Sequence, residues 1–330
     1  MKHALVFGKF LPFHIGHAAL IEFARRHSTR LTVLVCASDQ ETVPGEVRAA
    51  WIRETYAAQP EVEVQVLEYR EQELANTSET SLAVAQAWAD RFREVLPEVT
   101  LVVTSEPYGA LVAARMGIEY LDFDVFRAQV PVSGTAIRGD VRAGWAWLPA
   151  SVQRHYQRTV AILGTESTGK TTLAEQLAKH FKAVWVPEAG RDLIPDSTDF
   201  RQEQLLAVAA EHARRIAEVR AIAGPLLLLD TDVHITQSYA RLLGQEYLTL
   251  PPGIYQQNRA DLYLYLAPDV PLVQDGTRLP GPERTRLEAL HRQTLADFNI
   301  AYYEISGGWA ERWAQAVTLI ETQFRLEVRL

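Results

Sequence analysis

Two short stretches carry residue types suited to handling phosphate: GKFLPFHIGH at residues 8–17 and GTESTGKTT at residues 164–172. In the first, His14 and His17 stand three apart and can face the same side of a loop–helix junction. Paired imidazoles there can donate hydrogen bonds to triphosphate oxygens and stabilise charge developing in phosphoryl or nucleotidyl transfer. Gly8 allows close approach of backbone to a ligand, and Pro12 fixes the loop. Gly16 lies at a helix start whose free N–H groups favour anions. Zinc binding is the other chemistry open to two such histidines, but no third ligand stands nearby in the sequence.

In the second stretch, residues 164–171 match G-x-x-x-x-G-K-[ST] without departure. This is a P-loop pattern. Gly164, Glu166, Ser167, Thr168, Gly169 and Thr172 would wrap the phosphates of ATP, with Lys170 on the β and γ oxygens and Thr171 on Mg²⁺. Carboxylates follow in PEAGRD (187–192) and LLLLDTD (226–232). Glu188, Arg191 and Asp192 are expected near the loop, contacting an acceptor. Asp230 or Asp232 would serve Mg²⁺, orient an acceptor hydroxyl or take its proton. Which carboxylate is the base stays open, and DTDVH also reads as a helix N-cap. The Gly-, Pro- and Arg-rich stretch 273–286 reads as a lid, with Arg278, Arg284 and Arg286 available to ATP.

Both motifs need a strand before them and a helix after, and the pattern supplies these. Apolar runs at 4–10, 31–38, 62–69 and 101–105 read as strands, with helical patterns at 16–27, 46–58 and 79–93 between them. YLDFDVF (120–126) resembles a further strand. Beyond a junction at 144–158 the alternation restarts, with strands at 158–164, 183–188, 225–230, 261–268 and 301–306. Helices are expected at 169–181, 200–222 and 308–324. This predicts two doubly wound α/β domains with parallel sheets, 1–155 and 156–330. Ligands in such sheets bind beyond the carboxyl ends of the strands, where both motifs fall.

Composition narrows the class. A chain of 330 residues is natural for two domains, and 48% hydrophobic with 22% charged residues is ordinary for a globular protein. The net charge of −8 argues against broad attraction to nucleic acid. The single cysteine, Cys36, excludes an intramolecular disulfide. No apolar run approaches membrane-spanning length, and the N-terminus lacks a signal-peptide core. A cytoplasmic enzyme is expected, and the sequence leaves its oligomeric state open, a homo-oligomer included.

G-x-F-x-P-x-H-x-G-H after an N-terminal strand resembles the signature of the adenylyltransferases. SGTAIR, with Ser133, Thr135 and Arg138, resembles that family's second signature, S-x-T-x-x-R. The order of these two, then GTESTGKTT, PEAGRD, DTD and DGTR, is similar to that of NadR-type bifunctional proteins over nearly the whole chain. The resemblance implies that the C-terminal half phosphorylates nicotinamide riboside to nicotinamide mononucleotide (NMN) with Mg²⁺-ATP. The N-terminal half would then join NMN to AMP from ATP, giving NAD and pyrophosphate. It implies that His14 and His17 hold ATP phosphates, helped by Gly8, Lys9 and Phe10, with Ser133, Thr135 and Arg138 on the opposite side. Trp51 and Arg48 are candidates for the acceptor pocket, the indole stacking on the cationic ring. Some members carry an N-terminal helix-turn-helix. With a first strand expected at residue 4, none is expected here, nor is DNA binding. The same two motifs would serve an adenylyltransferase–kinase fusion acting on a coenzyme A or flavin precursor, or a sensor of ATP and NAD with little turnover.

Overall fold

The computed structural model describes residues 2–75, 81–194, 199–271, 279 and 281–328. The chain folds as two units, one ending at Tyr156 and the other spanning Gln157–Glu327.

The first unit is a parallel sheet of five strands: β1 (His3–Gly8), β2 (Arg30–Ser38), β3 (Val62–Tyr69), β4 (Leu101–Thr104) and β5 (Glu119–Asp122). Their order across the sheet is β3-β2-β1-β4-β5. The chain therefore reverses direction of travel at β1, whose carboxyl end lies between those of β2 and β4. A crevice opens at such a switch point. β1, β2 and β4 are almost wholly buried because helices cover both faces, which is why they read as continuous apolar runs. One face packs Val6, Phe13, Ile21 and Ile52 together; the other packs Leu5, Trp88, Phe92 and Val102. Cys36 is buried in this second layer, and burial pushes its thiol up to about 12.

β5 stops earlier than the apolar run 120–126 suggests. Asp124, at φ +49°, accepts backbone N–H bonds from Ala128, Gln129 and Val130 and curls the chain out of the sheet.

The second unit repeats the architecture with β6 (Arg158–Leu163), β7 (Val184–Val186), β8 (Leu226–Asp230), β9 (Leu262–Leu266) and β10 (Tyr303–Ile305). All pair in parallel, in the order β10-β9-β6-β8-β7. Here β6 is central, and the loop after it lies between the ends of β8 and β9. The expected helices form at Lys170–Phe181, Gln202–Ile222 and Trp309–Val328. Two more are Val233–Leu242 and Pro252–Asn258. The first of these buries His234, Thr236, Gln237 and Ser238 along with its apolar residues. Among the described residues no helix is long and apolar enough to cross a membrane.

Candidate active sites

The first site grows from the turn between β1 and the helix Ile15–Arg26. His14 is the N-cap, its Nδ1 accepting from the N–H groups of Gly16 (3.1 Å) and His17 (3.4 Å). The backbone N–H of His14 in turn donates to His17 Nδ1 at 3.4 Å. Both Nδ1 atoms are thus acceptors, so both neutral rings carry their proton on Nε2. The rings stack at 3.7 Å between centroids, 19° from parallel. Burial holds His14 down at about 4 and His17 well below the usual histidine range, the neighbouring Arg127 guanidinium adding to both effects. The site therefore offers two uncharged Nε2–H donors side by side at a helix N-terminus.

The second signature meets the first. Arg138 Nη1 donates to the Leu11 carbonyl, and its Nη2 to Thr135 Oγ1 at 3.1 Å. Gly134 is required here, since a Cβ would stand 2.8 Å from that same carbonyl oxygen. Ser133 caps the helix Gly134–Gly139 through Ala136 N–H (3.1 Å), leaving its hydroxyl hydrogen to donate. Gly8 ends β1 in open space; a Cβ there would meet only the Phe10 ring, at 3.8 Å.

Several candidate residues play other parts. Phe10 is buried beneath His17, ring centroids 5.0 Å apart, so only its backbone is open to a ligand. Lys9 pairs with Glu41 at 3.0 Å, which neutralises the charge offered to a triphosphate. Arg48 is fully buried, bound to Glu41 (2.8 Å) and to the Lys9 carbonyl (2.7 Å), and so braces the loop from within the core. Trp51 is 5% exposed and packs edge-on against His155 and against Tyr156, so it has no free face for a ring to stack on. Their helix turns both residues inward. Among the described residues no cluster of three or more His, Cys, Asp and Glu side chains fits a metal ion.

The second site is the loop between β6 and the helix Lys170–Phe181. Its curl needs positive φ at Gly164 (+140°), Ser167 (+60°) and Gly169 (+88°). A Cβ at Gly164 would stand 2.8 Å from the Leu266 carbonyl, and one at Gly169 would strike the Trp309 ring. Thr168 locks the loop by donating to Thr165 O at 2.8 Å, and Lys170 Nζ donates to the same carbonyl at 3.1 Å. Glu166 is a hub rather than a phosphate contact by its side chain. Its carboxylate accepts from Tyr239 Oη (3.1 Å) and Leu279 N (3.0 Å), and its carbonyl accepts from Arg284 Nε (2.9 Å). Thr172 points to solvent. Arg284 keeps a buried Nη2 with no partner among the described residues. Arg278 lies outside them.

Thr171 Oγ1 donates to Asp230 Oδ2 at 2.5 Å. Asp230 is buried at the end of β8, and burial with the nearby Glu188 charge raises it to about 6. Its Oδ1 is buried without a hydrogen-bond partner among the described residues. An unpaired hard oxygen next to a hydroxyl suits Mg²⁺. Beside the loop lies a cavity of about 310 Å³, lined by Lys170, Glu188, Arg191, Phe200, Val208 and Tyr239 among others. That size suits a small organic ligand.

Asp232 is not in that cavity. It is the N-cap of Val233–Leu242, accepting from His234 N (3.0 Å) and Ile235 N (3.3 Å), while its other oxygen binds His234 Nδ1 at 2.5 Å. Asp192 turns away to Arg215, 2.7 Å distant. Sequence reasoning missed Arg312, which is fully buried and donates to the carbonyls of Thr168, Ala267 and Gly307, each at 2.8 Å, and to Asp269. It ties the P-loop to the last helix from far along the chain, and no local signal marks it. Arg127, whose charge acts on both histidines, was equally invisible.

Comparison with known proteins matches residues 5–140 to the family described as cytidylyltransferase-like and residues 159–312 to the one described as AAA domain. Along one alignment the chain is similar to the trifunctional NAD biosynthesis/regulator protein NadR of Escherichia coli (strain K12), 27% identical over 96% of this chain and 82% of that protein. The counterpart in Salmonella typhimurium is 26% identical over the same shares. Two crystal structures share the fold. One, of NadR protein in complex with NR, has TM-score 0.60 and 21% identity; the other, of NadR protein in complex with NAD and AMP-PNP, has TM-score 0.62 and 21% identity. Each covers 97% of this chain and 95% of that one. Matched in order in both halves, and with both loops formed where the motifs place them, the chain is similar to the NadR proteins along nearly its whole length.

Proposed function

We propose that this protein makes NAD in two steps, one per unit. The P-loop unit phosphorylates nicotinamide riboside with ATP, and the histidine-pair unit adenylylates the resulting NMN. The observation that carries the reading is the cavity opening on Lys170 with Glu188 in its wall: an acceptor site beside a phosphate grip is what a small-molecule kinase needs. The relatives' names and ligands supply the nicotinamide identity.

In the kinase reaction, the acceptor hydroxyl oxygen attacks the γ-phosphorus as the bond to the bridging oxygen breaks, and ADP leaves. Glu188 lines the cavity and Asp230 does not, so Glu188 is the carboxylate placed to take the hydroxyl proton. Thr171 and Asp230 would hold Mg²⁺, which when bound neutralises charge on the phosphates. Lys170 offsets negative charge on the transferred group. Arg284 is positioned to add to that from the start of its helix.

In the adenylyl transfer, a phosphate oxygen of NMN bonds to the α-phosphorus of ATP while the α–β bridging bond breaks and pyrophosphate departs. No proton need move. The two Nε2–H groups of His14 and His17, with Ser133 and Arg138, would donate to the triphosphate where charge accumulates. Catalysis is then positioning and charge stabilisation.

Mass spectrometry of the products from nicotinamide riboside and Mg²⁺-ATP tests the reading. NAD is expected. NMN alone would leave the first unit without its assigned role, and neither product would return the choice to another acceptor or to a sensor.

A further inference from the structure

His212 sits inside the long helix Gln202–Ile222, 3% exposed, in the wall of the kinase cavity. Its surroundings fix its chemistry. Asn258, fully buried, has its amide orientation set by two backbone groups: Val233 N–H donates to Oδ1 at 3.1 Å, and Nδ2 donates to the Ile254 carbonyl at 2.9 Å. The oxygen of Asn258 therefore faces His212 Nδ1, 3.2 Å away. Only a protonated Nδ1 can make that bond, so Nδ1 is the donor. Burial lowers the histidine's pKa, so the ring is neutral near pH 7. Nε2 is then a bare acceptor, and it has no hydrogen-bond partner among the described residues. An unpaired ring nitrogen that borders a cavity is available to a ligand.

A second buried atom in the same cavity is in the same condition. Thr231 Oγ1 lacks a partner among the described residues, and Thr231 holds φ at +78°. A β-branched residue is strained there, and such strain is retained where the position of the side chain matters. Much of the remaining wall is apolar, formed by Ile194, Phe200, Leu205, Val208 and Ile235. Two unpaired polar atoms beside such an apolar stretch of wall are placed to read the polar groups of a ligand.

We infer that His212 is a specificity-determining residue of the kinase cavity, its Nε2 taking a hydrogen bond from an O–H or N–H of the nucleoside to be phosphorylated. The inference rests on reading this cavity as the acceptor site. It selects acceptors that present a donor at that point, and it disfavours those that present only an oxygen or a methyl, because the nitrogen is then buried unpaired. The donor is the 2′-hydroxyl, the 3′-hydroxyl or the carboxamide N–H₂, since the proton of the reacting hydroxyl goes to Glu188.

The test is steady-state kinetics of the full chain with nicotinamide riboside, its 2′-deoxy and 3′-deoxy forms, and 3-acetylpyridine riboside, which lacks the N–H₂. His212→Leu is expected to raise KM for the riboside about tenfold or more, with KM for ATP unchanged. His212→Gln, whose amide oxygen reaches the Nε2 position, is expected to restore most of the loss. With the wild type, one analogue should lose a similar factor, and that analogue alone should be indifferent to His212→Leu; which one it is identifies the donor. A folded His212→Leu variant with the riboside KM within about twofold of wild type overturns the inference. Should that variant not fold, wild-type values within about twofold for all three analogues overturn it equally. A wild type that phosphorylates no riboside overturns the functional reading and this inference with it, whereas an active wild type beside an indifferent variant overturns the inference alone.

Discussion

The imidazoles of His14 and His17 stack 3.7 Å apart, and each accepts a backbone N–H at Nδ1 from the other's residue. The reciprocal cap holds both rings neutral and turns both protons to Nε2. It also makes the turn sensitive to acid, because a protonated Nδ1 cannot accept.

His14 is held at about 4, against 6.5 in an unfolded chain. Between those values the unfolded chain binds the proton and the folded one does not, so stability is full above pH 6.5, falls as pH drops, and levels off near 4. The loss from this group is about 3 kcal/mol. His14→Asn keeps an oxygen where Nδ1 accepts but does not titrate. Denaturant unfolding of the first unit at pH 7 and pH 4.5 should show a smaller acid loss in the variant than in the wild type. Equal losses would remove His14 as a cause.

Glu188→Gln keeps the shape of the cavity wall and removes the proton acceptor. Kinase kcat is expected to fall about 10²-fold or more, with KM for ATP little changed. Initial-rate kinetics read the split. A kcat near wild type would move the role of base to another group.

Arg312 is buried and holds three carbonyls and Asp269. Arg312→Leu is expected to cost the second unit about 3–5 kcal/mol by leaving those partners unpaired. Kinase activity should fall with the stability of that unit, while adenylylation of supplied NMN stays near wild type. Calorimetry with both assays on one preparation checks this.

The geometry of both candidate sites was legible in the sequence wherever their residues are consecutive. A strand, a glycine-bearing loop and a helix start are consecutive in the chain, so GKFLPFHIGH and GTESTGKTT announce their own geometry, and the alternation of apolar runs with helical patterns announces the sheets around them. What failed was the direction in which a side chain points. Arg48 and Trp51 lie three apart and share a helix face, but the sequence does not say whether that face meets a ligand or the core. Asp230 and Asp232 are both acids at a strand end. The backbone turns one to Thr171 and spends the other on a cap. Lys9 looked free because its partner Glu41 lies far along the chain, in no motif. Arg312 and His212 matter through contacts far apart in sequence, and an isolated arginine or histidine on a helix carries no sign of them.

The most direct measurement of the central claim, two independent phosphate sites working in series, is product analysis of three full-length proteins supplied with Mg²⁺-ATP and either nicotinamide riboside or NMN. The account predicts that the wild type makes NAD from both. Lys170→Ala should make it from NMN only, and His17→Ala should turn the riboside into NMN and stop. Loss of both reactions in either folded variant, or no NMN or NAD from the wild type, would contradict it.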